Sequence, residues 1–331
     1  MPQHFLLSSK AKTLTFVTVM EMKDSEVEAL FKRLRWPETN GEPICPECGG
    51  LDAYPSRRPS GALRFDCRAC GKAFTLTSGT LFASYKKPLR IYLLAIAIFI
   101  NEVKGKPALA LSRDLGLAYK SAFVLLHKIR EAMASELRGR KLGGVGEHVE
   151  IDAAWFGGYL KPRNTSSTRK DRRLKEHHTG KRKAVITIRQ RGGDAIPAVF
   201  MSEGQAIRFI EQRVLPGTTI HADASVNWND LRFKFPMKRI NHEEAYSQDG
   251  ACTNQAESYF SRLRRAETGH HHHIAGPYLL RYAQESAWRE NKRRQDNGGQ
   301  VFSVVGLAMK ANPSVDFSGY WQKRKPKEQA A

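Results

Sequence analysis

The chain has 331 residues, of which 41% are hydrophobic and 26% are charged. This composition is typical of folded proteins and argues against a wholly disordered chain, and the length predicts two or three domains. Lysine and arginine number 54 against 33 acidic residues, so the net charge is +21. A surplus of this size indicates a polyanionic partner, most often nucleic acid. The alternative is a basic protein without such a partner.

The longest apolar run covers residues 91–100 and has ten residues. A bilayer needs about 20, so we expect a buried helix there and no membrane segment. The first residues lack the apolar stretch and small-residue cleavage site of a secretory signal. We therefore expect a cytoplasmic protein.

Four of the five cysteines form two Cys-x-x-Cys pairs with 18 residues between them, and Cys252 stands alone. Each pair can aim two thiolates at one point, and four thiolates complete a tetrahedral zinc site. Such a site has no open coordination position, so the zinc would be structural. A redox pair and an iron–sulfur cluster are the alternatives. The predicted ligands are Cys45, Cys48, Cys67 and Cys70.

Two helices are predicted after the buried one, a short helix at residues 107–115 and a longer one from Tyr119 to Leu137. Gly116 marks a turn between them. This order is typical of the helix-turn-helix DNA-binding motif, in which Lys120 and Ser121 would face the groove. A plain helical connector is the alternative.

Strands and helices alternate after a glycine-rich break at residues 141–146. Three strands are followed by helix, strand, strand and helix, which predicts an RNase H-like α/β sheet. The expected strands cover residues 148–156, 184–189, 195–201, 218–222 and 236–241, and the expected helices cover 204–214 and 255–265.

A strongly basic segment, residues 161–183, separates the first two of these strands. It holds ten lysine or arginine residues and two acidic ones, so its net charge is +8. Such a segment cannot bury a core. We expect a loop or arm suited to a phosphate backbone, with a solvated run of charge as the alternative.

Three acidic residues stand where a sheet would place reactive groups. Asp152 is in mid-strand, Asp223 ends a strand, and Glu257 flanks the buried stripe of a helix. A charged residue in a strand is costly to bury unless it is paired or metal-bound. Taken singly, each acid fits a solvated side chain. Together they could hold two Mg²⁺ ions, and two such ions clamp the attacking and leaving oxygens of a phosphodiester. Mn²⁺ could take the place of Mg²⁺.

These motifs resemble the DDE-type transposases of bacterial insertion sequences, in the ISXO-type group that carries an N-terminal zinc ribbon. The resemblance runs through the segments LRWP, CPECGG, CRACGKAF, EIDAAWFGG, HADAS, INHEEAY and TNQAESYFSRLRR. It implies an RNase H-like fold, metal-dependent cleavage at the element's ends and strand transfer to target DNA, with Asp152, Asp223 and Glu257 as the catalytic acids. It also assigns a role to His242, which could bond a scissile phosphate or a water. A satisfied loop histidine is the alternative for His242.

The sequence predicts five segments. They are an N-terminal helical segment (1–40), a zinc ribbon (41–82), a helix-turn-helix-like region (83–142), a catalytic domain (143–295, with the basic insertion 161–183) and a basic C-terminal tail (296–331).

Transposition brings two DNA ends together, so we expect a homodimer or larger assembly on double-stranded DNA, associated with the nucleoid. The rival functions are an RNase H-like nuclease without strand transfer and a non-catalytic zinc-containing DNA-binding regulator.

Two further features lie close to the expected site residues. Trp155 is expected to pack in the core, with stacking on a DNA base as the alternative. The run from His270 to His273 is expected to form a surface loop, with a DNA contact or a role at the metal's edge as the alternative.

Overall fold

The structure is a computed structural model that describes residues 5–157, 182–241, 247, 250–271, 274 and 276–317. The chain forms two compact units. Of the described residues, the first unit contains those up to Glu136 together with 292–317, and the second contains those from Leu137 to Asn291.

The first unit begins with helices, continues with a small sheet and returns to helices. The sheet is antiparallel with strand order β1-β2-β3. Its elements, in chain order, are α1 (Phe16–Glu21), α2 (Asp24–Arg35), β1 (Ala53–Arg57), β2 (Leu63–Cys67), β3 (Ala73–Thr75), α3 (Leu89–Asn101), α4 (Ala108–Asp114) and α5 (Tyr119–Leu137).

Helix α3 is the predicted apolar helix, and eight of its residues are buried. The small sheet packs on the end of α2, where Trp36 meets the rings of Phe65 and Phe74 edge-on at 5.8 and 6.5 Å. Arg35 donates hydrogen bonds to the carbonyls of Thr75 (3.1 Å) and Ser78 (2.6 Å). These contacts anchor a sheet that is too small to bury much apolar surface by itself.

The second unit is built on a five-stranded mixed sheet with the order β6-β5-β4-β7-β8. The first three strands pair antiparallel, and β4, β7 and β8 pair parallel. The five predicted strands are confirmed, in the predicted order along the chain. The elements are β4 (His148–Phe156), β5 (Lys183–Gln190), β6 (Ala195–Phe200), α6 (Ile207–Arg213), β7 (Thr219–Asp223), β8 (Met237–Ile240), α7 (Asn254–Ala266) and α8 (Leu279–Asn291).

Alternation along β4 separates two faces of this sheet. One face, which includes Val149 and Ile151, packs against Ile210 of α6 and the fully buried Trp228. The other face carries Ala154 and Phe156 into a second cluster built from α7 and α8. Glu150 and Asp152 belong to this second face because they alternate with Val149 and Ile151.

The segment expected to be a basic tail contains a helix instead, α9 (Asn297–Lys310), which packs against α2 and α3. The apolar residues of α9 recur at helical spacing and are buried. Asp296 caps the helix through the Gly299 N–H at 2.8 Å. The side chain of Asn297 accepts hydrogen bonds from the backbone N–H groups of Thr13 (2.8 Å) and Leu14 (3.0 Å). The buried residues of α9 are Gly298, Val301, Val304, Val305, Ala308 and Met309.

Most of the basic insertion, residues 161–181, lies outside the described residues. Within the part of the chain that the structure describes, no helix combines the length and the apolar character needed to cross a membrane.

Candidate active site and zinc site

The four cysteines of the two Cys-x-x-Cys pairs converge on one point. The sulfur of Cys45 lies 3.7 Å from that of Cys70, and the sulfur of Cys48 lies 3.7 Å from that of Cys67. Four sulfurs about 2.3 Å from a zinc ion stand about 3.8 Å apart, so the cluster fits zinc. All four sulfurs lie within 4.8 Å of one another.

The two turns that carry the cysteines have the same geometry. The Gly49 N–H donates to the carbonyl of Cys45, and the Gly71 N–H donates to that of Cys67, both at 2.9 Å. Gly49 has a φ of +72° and Gly71 a φ of +69°, a conformation that a residue with a Cβ adopts only at a cost. Glycine therefore lets the backbone of each Cys-x-x-Cys turn bend tightly enough to present both of its thiolates.

The second unit brings two of the predicted acids side by side. Ile151 of β4 pairs with Ala222 of β7 in parallel register, so the next residues, Asp152 and Asp223, occupy neighbouring positions on strands about 4.8 Å apart. Both lie on the face that α7 covers. The two carboxylates thus approach one another at the carboxyl end of β7.

Asp152 is half-buried, and the pKa of its carboxyl is raised from 3.8 to about 7, with burial as the largest cause. The N–H of Ala153, which donates to the Asp152 Oδ1 at 2.7 Å, opposes the shift. The negative charges of Asp223 and Glu257 contribute to the increase in this pKa, and the positive charge of Arg264 opposes it. Asp223 and Glu257 therefore each lie close enough to Asp152 to act on its carboxyl.

Asp223 is held in place by a buried indole. Its Oδ1 accepts a hydrogen bond from the Trp228 Nε1 at 2.7 Å and another from the Ser225 N–H at 3.2 Å. Trp228 is fully buried, so these bonds fix the carboxylate of Asp223 at the end of β7.

Glu257 lies in the first turn of α7, the helix that packs against β4 and β5. Ala256, Phe260 and Leu263 form the buried stripe of that helix, as the sequence predicts, and Tyr259 is buried beside them. Arg264 follows Glu257 by seven residues, which is two helical turns, so both side chains project from the same side of α7. Sequence reasoning missed Arg264, although this spacing could have found it.

The three acids face one site from three elements without forming a compact ligand group. Among the described residues, only the cysteine cluster brings three or more potential metal ligands within 4.8 Å of one another. A site with two ions about 3.5–4 Å apart needs carboxylates spread around both ions. The arrangement of the acids and the oxygen chemistry that Mg²⁺ prefers fit such a site.

The remaining predicted residues have different outcomes. His242, His272 and His273 lie outside the described residues. The ring of His271 packs against Tyr282 at 4.8 Å.

The expectation that Trp155 packs in the core is wrong, because its side chain is 37% exposed. Its indole Nε1 donates to the Glu203 Oε1 at 3.1 Å, and the Arg182 guanidinium lies 6.0 Å from its ring. Near the end of β4 the core no longer covers the strand, so the indole meets polar groups.

Two family models match the chain in the regions just described. The ISXO2-like transposase domain matches residues 141–291, which include Asp152, Asp223 and Glu257. The transposase zinc-ribbon domain matches residues 22–73, which include all four clustered cysteines. The chain belongs to the ISXO2-like insertion-sequence transposases. No curated protein matches this transposase, and the two rival functions are not favoured.

Beneath the acids, the transposase has a buried polar network that sequence reasoning missed. Arg191, at the end of β5, donates from Nε to the Glu150 Oε1 at 2.9 Å, and its Nη2 lies 3.1 Å from the His221 Nδ1. The other ring nitrogen of His221, Nε2, lies 2.9 Å from the His148 Nδ1. The pKa of His221 is lowered to about 4, mainly by burial and next by the charge of Arg191, so His221 is neutral at pH 7. We assign its Nδ1 as the acceptor from Arg191.

Proposed function

We propose that the transposase cuts DNA at the ends of its element and joins the freed ends to target DNA with Asp152, Asp223 and Glu257 as its catalytic acids. The observation that carries this proposal is the adjacent placement of Asp152 and Asp223 on parallel strands, beneath the helix that bears Glu257. Bound by these carboxylates, two Mg²⁺ ions, for which Mn²⁺ could substitute, would polarise the scissile phosphate and lower the pKa of the attacking hydroxyl.

The reaction consists of two displacements at phosphorus. In the first, water attacks a phosphodiester at the element's end, the bond from phosphorus to the 3′-oxygen breaks, and a 3′-hydroxyl is released. In the second, that hydroxyl attacks a target phosphodiester and releases a target 3′-hydroxyl. Each step makes one P–O bond and breaks one, so no covalent protein–DNA intermediate is needed.

The chain's own residues position the acids and meet the charge of the DNA. Trp228 and Ser225 hold Asp223 through hydrogen bonds. Arg264 is exposed on the same side of α7 as Glu257, where a guanidinium can bind a phosphate oxygen. His242 stays a prediction as a ligand of the scissile phosphate or of water.

Double-stranded DNA is the proposed partner of the first unit. Helices α4 and α5 have the short-turn-long order of a helix-turn-helix, and the first residues of α5, Tyr119, Lys120 and Ser121, are exposed. The zinc ribbon adds arginine side chains such as Arg68, which is 66% exposed. A homodimer or larger assembly on DNA, in the cytoplasm and at the nucleoid, stays a prediction.

Replacing Lys120 with alanine should weaken binding to the element's ends about threefold to tenfold. A lysine at the start of a recognition helix neutralises a phosphate, so the slope of log affinity against log salt should also fall by about 1. Lys310→Ala, at the exposed end of α9, is the matched control. Fluorescence anisotropy at several salt concentrations measures both effects, and equal affinities for the two variants would contradict a DNA-binding role for α5.

A joining assay tests the proposed function. The substrates are duplexes that carry the inverted repeats flanking the gene, pre-cleaved to expose a 3′-hydroxyl, together with a supercoiled target plasmid. We expect joined products with Mg²⁺ or Mn²⁺ and none with EDTA. Metal-dependent cleavage of uncut ends without any joining would identify a nuclease, and end binding without either reaction would identify a regulator. Either result would reject the proposal.

A further inference from the structure

Glu150 is a charged residue buried beneath the acids, two positions before Asp152 on the same face of β4. Its side chain is only 1% exposed. Its Oε2 accepts hydrogen bonds from the backbone N–H groups of Gln255 at 2.8 Å and Ala256 at 3.1 Å. A carboxylate this deeply buried is costly unless its hydrogen bonds are satisfied. The buried carboxylate of Glu150 therefore makes these hydrogen bonds to a different element of the fold, the one that contains Gln255 and Ala256.

The two N–H groups belong to the first turn of α7, where backbone donors have no partner within the helix. The residue at the N-cap, Thr253, makes no side-chain capping bond. Glu150 therefore caps α7 from the sheet, and its negative charge suits the positive end of the helix dipole. Glu257 is the residue directly after the capped N–H of Ala256.

Arg191 fixes the other oxygen of Glu150 and the loop that leads into α7. Its Nε donates to the Glu150 Oε1 at 2.9 Å, and its Nη2 donates to the carbonyl of Cys252 at 3.1 Å. The Gly192 N–H also donates to the side chain of Gln255 at 3.1 Å. The start of α7 is thus tied both to β4 and to the end of β5.

We propose that Glu150 is a positioning residue, which with Arg191 sets the place of Glu257 relative to Asp152. Glu150 and Asp152 lie on the same strand, β4. Because Glu150 caps α7, the helix that carries Glu257 is held at a fixed position relative to Asp152. This inference rests on the proposed function, because it assumes that Glu257 acts in the reaction.

The test compares Glu150→Gln with Glu147→Gln, a change to an exposed glutamate that precedes β4. Glutamine has nearly the same shape and keeps one acceptor, but it loses the charge that pairs with Arg191. We expect Glu150→Gln to lower the joining rate at least tenfold and to raise the Mn²⁺ concentration for half-maximal joining, with end binding unchanged. Glu147→Gln should match the unmodified protein in all three measurements.

A second background separates positioning from general stability. In Glu257→Gln, adding Glu150→Gln should leave the Mn²⁺ affinity, measured by calorimetry, unchanged, because the group through which Glu150 acts is already altered. A purely structural role would lower that affinity equally in both backgrounds and would overturn the inference. Normal joining and Mn²⁺ dependence in Glu150→Gln would also overturn it.

Two outcomes keep this inference distinct from the proposed function. Normal joining by Glu257→Gln alone would reject the catalytic role of Glu257 and with it the proposed function. An inactive Glu257→Gln beside a normal Glu150→Gln would reject only the positioning role. If Glu150→Gln fails to fold, Arg191→Lys replaces it, since lysine keeps the charge but cannot reach Glu150 and Cys252 together; the same increase in Mn²⁺ requirement is then expected, and its absence overturns the inference.

Discussion

Replacing Asp152 with asparagine should abolish DNA cleavage and joining by the transposase and, in the absence of divalent metal, make the protein more stable. The expected loss of rate is about 10³-fold or more, because a neutral amide replaces a carboxylate that the reaction needs to hold a cation. The gain in stability has a separate cause. Burial, together with the negative charges of Asp223 and Glu257, raises the pKa of Asp152 to about 7.

At pH 8 without metal, the ionised Asp152 carboxylate is therefore unfavourable in the folded protein. A folded-state pKa above the unfolded value of 3.8 means that ionisation costs free energy on folding. Asparagine removes that cost and keeps an acceptor for the Ala153 N–H. We expect a gain of about 1–3 kcal/mol in the free energy of unfolding, which corresponds to an increase of a few degrees in Tm.

Thermal melting at pH 8 with and without Mg²⁺ checks this prediction beside the joining assay. Mg²⁺ should raise the Tm of the unmodified protein and leave that of Asp152→Asn nearly unchanged. Asp230→Asn is the matched control, since Asp230 is an exposed acid seven residues after Asp223. Retained cleavage in Asp152→Asn would contradict the catalytic assignment, and a lower Tm in EDTA would contradict the strained-carboxylate explanation.

Replacing Cys67 with serine should remove the bound zinc and unfold the zinc ribbon. The three-stranded sheet that carries Cys67 buries only Leu63, Phe65 and Phe74 among its large apolar residues, so we expect its stability to depend on the metal. Structural zinc contributes about 10–16 kcal/mol in small domains, which is comparable to the total stability of a typical domain, about 5–15 kcal/mol. End binding should fall with the loss of the ribbon.

Cys252→Ser is the matched control, because Cys252 is the one cysteine outside the cluster. We expect one zinc per chain in Cys252→Ser and none in Cys67→Ser, measured by atomic absorption. Limited proteolysis should cut Cys67→Ser within residues 41–82 and leave the control intact there. Full zinc content in Cys67→Ser, or an uncut ribbon without zinc, would contradict the prediction.

The zinc ligands and the succession of strands along the chain were predictable because both depend on local patterns. Two cysteines three residues apart share a turn in any fold, and alternating apolar residues form a strand such as β4 whichever neighbours it finds. Helix α9 was missed for a different reason. Its buried valines already show helical spacing, but the basic composition of the last residues led to the prediction of a tail.

The polar network could not be predicted, because its partners are far apart in the chain. Glu150 is separated from Gln255 by 105 residues and from Arg191 by 41. In the sequence, Glu150 is only a polar residue in an alternating strand. A glutamate that faces solvent would occupy the same kind of position. The exposure of Trp155 depends in the same way on where the core ends.

The sequence by itself determined the zinc ligands, the succession of strands along the chain and three acidic candidates. Each of these follows from the spacing between near neighbours or from a run of alternating residues. The tertiary structure decided which side chains meet. The parallel register of β4 and β7 sets Asp152 beside Asp223, and the cap from Glu150 sets α7 above them. Such contacts arise only when the folded core brings distant segments together, because register and helix packing are settled by the burial of whole faces.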